Sequence, residues 1–239
     1  MSGLTGKHEL PAWLWVWLPL IMLVSIYFIN WYSPVFFAEH MATEQGAIEN
    51  VIILFLVPAI AMSVILVRCR RSLPSYWLAI WYGLMGLASL YFAGEEISWG
   101  QHWFGWETPE GVAVLNDQGE TNLHNMSSWL DQKPRLIVEL GAIFGGVLYP
   151  LYRYFKRTSL LPGHWTYYFW PGWVCFPTCL IIGLIKLPDR LIGGQNIPFP
   201  LNMRVSEIQE VYVALGFMIY LLSVWIRVSR DRKTGILPS

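Results

Sequence analysis

Six stretches of about 20 predominantly apolar residues constrain this chain more than any other feature. A stretch of that length spans the hydrocarbon core of a bilayer as a helix, because only a helix satisfies its own backbone polar groups in lipid. The stretches run from Ala12 to Trp31, Ala47 to Val67, Tyr76 to Gly94, Leu136 to Tyr154, Tyr167 to Ile185 and Ile208 to Ile226. They predict an all-α fold, a polytopic membrane bundle of six transmembrane helices, with residues 1–239 forming a single integral-membrane domain. Hydrophobic residues make up 55% of the chain and charged residues 13%, too few charges for a water-soluble surface. Disorder, a coiled coil and a nucleic-acid binder are excluded on the same ground. Only Lys7 precedes the first stretch and no small-residue cleavage site follows it, so it reads as a retained helix. Cys69, Cys175 and Cys179 make no disulfide framework and no CxxC zinc signature.

The placement of charge orients the bundle. With both the amino and carboxyl termini cytoplasmic, eleven of the sixteen Lys and Arg residues fall on the inner side, and only Lys133, Arg135, Lys186, Arg190 and Arg204 on the outer. The acids divide the other way: only Glu9 and Asp231 are inside, leaving fourteen of sixteen carboxylates at the outer ends. If every outer cation were paired, nine acids would remain. Carboxylates near a low-dielectric boundary repel one another and resist desolvation, so they must stay solvated, take protons or surround a cation. Glu44 and Glu49 open the second span, Glu95 and Glu96 close the third, Glu139 lies inside the fourth, and Glu207 and Glu210 open the sixth. Four helices therefore bring acids to one depth.

The longest outer connection, residues 95–133, has the length and composition of a functional loop. If the third helix continued to Phe104, Glu95, Trp99 and His102 would share a face, with Glu95 and His102 about 10 Å apart. Glu120 and His124 stand at an i, i+4 spacing that turns both toward one metal ion on a helix. Their alternative roles are a helix start and a carbonyl partner. A metal shell of Glu95, Glu120 and His124, with Glu96 and Glu139 in catalysis and Glu49, His102, Glu207 and Glu210 as secondary candidates, is the expected chemistry. The residue types suit a divalent metal, with zinc, iron, manganese and calcium not distinguished.

Each candidate has a plainer role. Glu139 is the acid most deeply set in an apolar run and is a functional candidate by position, or else a one-turn partner of Arg135. Glu207 and Glu210 follow Ser206, which fits an N-cap with Gln209 completing a capping box. Glu95 and Glu96 are adjacent, face about 100° apart, and are not both expected in the interior. Cys175 and Cys179 read as packing residues, and most of the fourteen Trp as an interfacial belt. Trp99, Trp103 and Trp106 instead flank the acid-rich loop, where their rings either line a groove for an acyl chain or pack the loop onto the membrane.

The words GEEISWGQ, WETP and QGETNLHN between Gly94 and Asn125 resemble a family of bacterial multi-pass membrane proteins with no assigned activity. The likeness extends more weakly to TEQGAIEN at Thr43 to Asn50 and SEIQE at Ser206 to Glu210. It implies the bacterial inner (cytoplasmic) membrane as location. The layout is remotely similar to the alkaline ceramidase and adiponectin-receptor superfamily of membrane hydrolases, which hold zinc by histidines. This chain departs from them in lacking a three-histidine set within its helices. The leading expectation is a metal-dependent membrane enzyme acting on a lipid or lipid-linked substrate. The rivals are a scaffold or accessory subunit of a larger membrane complex and a proton or cation pathway. Conduction is disfavoured because the inner halves carry few acids to continue a route.

Overall fold

A computed structural model describes residues 8–43, 46–109, 111, 121, 122, 128–192 and 204–238. It is all-helical, with no strand among the described residues. Six helices are long and apolar enough to cross a membrane: α1 (Trp13–Tyr32), α2 (Ala47–Arg68), α3 (Tyr76–Glu96), α4 (Gln132–Lys156), α5 (Trp165–Ile192) and α6 (Val205–Lys233). This is compatible with an integral-membrane protein, and the outward apolar side chains agree: Leu54, Leu84, Ile137 and Phe144 are exposed along the helix flanks.

α6 is the axis of the bundle. Of its most apolar window 72% is buried, against 22–39% for the other five, so only α6 is surrounded by protein. It packs on α2, which also packs on α3, while α5 joins α6 to α4. α3 and α4 therefore stand on two sides of α6 with little direct contact between them. Close approach of α2 and α3 depends on small residues: a Cβ at Gly86 would fall 2.1 Å from Ser63 Oγ, and that hydroxyl donates to the Tyr82 carbonyl at 2.6 Å.

Two helices are irregular near prolines, which lack the N–H of a regular ladder, whereas Pro58 sits inside an unbroken α2. A π-helical segment, Ala142–Leu148, lies just before Pro150 in α4. α5 breaks at Trp170–Pro171, between a short helix at Trp165–Phe169 and the main segment beginning at Phe176. Such a break strands the last carbonyls of the short helix. Side chains accept that task in order. Arg227 donates to the carbonyls of Tyr167 and Trp170, Tyr82 to that of Tyr168 at 2.9 Å, and Tyr220 to that of Phe169 at 2.8 Å. Irregular backbone at membrane depth is tolerated where protein satisfies it in this way.

At one helix end a conditional extension is not realised, and at another a capping expectation is corrected. α3 does not continue to Phe104: it stops at Glu96, and Ser98, Trp99 and Gly100 all take positive φ before a separate turn at Gln101–Phe104. Ser206 is not the N-cap of α6, which begins one residue earlier after Arg204 and has no side-chain cap. Gln209 is instead drawn into the interior, because tertiary partners there outbid a local capping box.

Candidate functional site: the acidic end of the bundle

The ends of α3 and α5 and the starts of α2, α4 and α6 meet at one end of the bundle, and the acids meet there too. Their surroundings differ. Glu139 is buried and receives a two-pronged pair of hydrogen bonds from Arg190 on α5, at 2.6 and 2.8 Å. Gln209 of α6 adds a third donor at 3.3 Å while also donating to the Ile182 carbonyl at 2.9 Å. Glu139 therefore ties α4, α5 and α6 together, and its arginine is Arg190 rather than Arg135, the alternative partner the spacing offered. Arg135 forms an ion pair with Glu210 of α6. Glu207 pairs with Arg204 at 2.9 Å, and Arg204 also donates to the Ala42 carbonyl.

Glu95 is buried at the end of α3. The left-handed turn at Ser98–Gly100 folds Trp99 back over this helix end, so its indole N–H donates to Glu95 Oε1 at 2.8 Å. Positive φ at two successive non-glycine residues is a costly backbone choice that tertiary contacts must hold in place. Gly94 permits the fold-back, since a Cβ there would lie 2.9 Å from the Trp99 ring. The Tyr91 hydroxyl, one turn deeper, also hydrogen-bonds Glu95. Beyond the turn, Gln101 bridges to Thr108 and accepts from both the backbone and hydroxyl of Thr121, and Asn122 donates to Ser98. These bonds explain several letters of the GEEISWGQ and QGETN words as one folded cap.

Glu96 is different. It is half-buried; among the described residues it forms no hydrogen bond or ion pair, and the charges acting on it there are those of Glu210, Glu49, Arg135 and Glu207. It lines a cavity of about 140 Å³ between α3, α4 and α6. Glu95, Arg135, Glu210 and Tyr91 share its polar rim. The deeper wall is apolar, formed by Ala88 and Phe92 of α3, Val138 of α4, and Val213 and Phe217 of α6. From Glu96 down to Ala88 this wall follows two turns of helix, about 12 Å. The cavity exists because α3 and α4 flank α6 without packing on each other.

Of the sequence candidates, Glu95, Glu96 and Glu210 meet at the cavity, with Glu49 and Glu207 within electrostatic range of Glu96. Glu139 does not line it. Glu120 and His124 lie outside the described residues, and of His102 only the backbone is described. Among the described residues, no group of three or more His, Cys, Asp or Glu side chains could hold a metal ion. Sequence reasoning missed Arg135 as a wall residue and Lys186 of α5, which acts electrostatically on both Glu210 and Glu139. Their position in sequence among the acids that gather at this end was the available signal. No protein-family profile, curated protein or solved structure matches this chain.

Proposed function

We propose that the chain is a multi-pass protein of the bacterial cytoplasmic membrane, with both termini in the cytoplasm, and that its acidic end is an enzyme site for a lipid or lipid-linked substrate. The single observation that carries this reading is the cavity: an apolar wall leading up to a carboxylate without a partner among the described residues. Such a shape suits an amphiphile whose chain lies against Phe92 and Phe217 and whose polar end meets Glu96. In this reading Glu96 is the general base, taking a proton from water or from the substrate, and the fixed Arg135–Glu210 pair borders the polar end.

A scaffold would be expected to give each acid its own partner and leave no hollow. Glu139, Glu207 and Glu210 fit that description, each with an arginine. Glu96 and the cavity beside it do not, which favours a site. A divalent metal is a second reading, favoured by the surplus of carboxylates around Glu96; its shell would then need Glu120 and His124 beside Glu95. A bound metal would lower the pKa of a water molecule for attack.

The test is to extract lipid-soluble molecules from purified protein and from Val138→Trp, which fills the cavity, and to compare them by mass spectrometry. A molecule enriched on the wild type and converted roughly 100-fold faster by it than by Glu96→Gln is the expected result. Identical extracts from the two proteins would overturn the reading. Elemental analysis of the wild type, Glu120→Ala and His124→Ala separates the metal version: metal near zero in all three removes it.

A further inference from the structure

The charges along the cavity are unevenly distributed. Among the described residues its rim carries three carboxylates, Glu95, Glu96 and Glu210, and one guanidinium, Arg135. That guanidinium is already engaged with Glu210. Among the described residues, Glu96 is acted on by three other acids, Glu210, Glu49 and Glu207, and by one cation, Arg135. Lys186 acts on Glu210 but is not among the charges acting on Glu96. An anionic head brought to Glu96 would therefore add to a repulsion already present, and a cationic head would relieve it. The aromatic ring of Tyr91, at the rim, is a favourable neighbour for an ammonium group. Below the rim the wall is apolar, so a hydrated metal ion would fill only the top.

We infer that the occupant of the cavity between α3, α4 and α6 is an amphiphile with a protonated amine head, its ammonium seated at Glu96 and its chain laid along Phe92, Val213 and Phe217. This names the substrate class of the site proposed above and rests on that reading.

The test uses the full chain in nanodiscs of zwitterionic lipid and three probes of equal chain length: dodecylamine, dodecanol and dodecyl phosphate. Binding is read as displacement of the thermal unfolding midpoint over a concentration series. The expected order is dodecylamine tightest, at least roughly tenfold over dodecanol, with dodecyl phosphate weakest. Glu96→Gln should reduce the amine's advantage to about that of dodecanol. Val138→Trp should weaken all three probes, and Ala88→Leu on the facing helix provides a second blocking variant should the first not fold. Equal binding of the three probes, or preference for the phosphate, overturns the amine head; if a blocking variant still abolishes binding, the cavity reading survives. Binding untouched by either blocking variant overturns both.

Discussion

The two ends of this bundle handle buried charge in opposite ways. At the basic end, Arg227 and Asp231 are each 1% exposed, and each is fully engaged. Arg227 reaches the Tyr167 and Trp170 carbonyls, the Ser223 hydroxyl and, at 3.6 Å, Glu9. Asp231 accepts from the Tyr168 hydroxyl at 2.7 Å and from Arg230 at 2.9 Å. The network closes over the break in α5, and its charges serve backbone groups that would otherwise be stranded. At the acidic end, Glu139 is handled in the same manner, but Glu96 faces a hollow and other acids. A closed network points to architecture, whereas a charged group left facing a cavity points to a ligand.

That contrast predicts opposite responses to removing a charge. The largest effect is expected for Arg227→Met, which strands two carbonyls and leaves Glu9 without its cation; unfolding in mild detergent should show a loss of about 3–5 kcal/mol. Tyr82→Phe removes one fully buried donor to the Tyr168 carbonyl and should cost about 2 kcal/mol in the same titration. Trp99→Phe keeps the ring over Gly94 but loses the hydrogen bond to Glu95, for about 1 kcal/mol. Glu96→Gln should move the midpoint least and in the other direction, unchanged or raised by up to about 1 kcal/mol, because it relieves repulsion without removing a bond. A clear destabilisation by Glu96→Gln would break the contrast and make Glu96 as structural as Glu139.

Much of the architecture was legible from residue order. Each of the six apolar stretches overlaps one of the six long helices, because the length and hydropathy needed to cross a bilayer are properties of a contiguous segment. The gathering of acids at one end was legible for a similar reason: alternating crossings send the ends of α3 and the starts of α2, α4 and α6 to the same side. What each acid does there was not. The capping expectation for Ser206 and Gln209 used only local spacing, and Gln209 is claimed instead by Glu139 and Ile182, distant in sequence. The continuation of α3 to Phe104 assumed regular helix, and the fold-back of Trp99 onto Glu95 replaced it. Glu120 and His124 lie outside the described residues, so the sharpest sequence pair awaits the metal measurement above.

Hydropathy and the sorting of cations from acids determined, from residue order alone, that this is a six-helix bundle with one basic and one acidic end. Only the tertiary structure decided that α6 is the axis, that Arg190 rather than Arg135 neutralises Glu139, and that a hollow separates α3 from α4 beside Glu96. Spanning a membrane is specified within one segment at a time. Pairing a charge or leaving a space depends on how neighbouring helices pack, and no single segment carries that information.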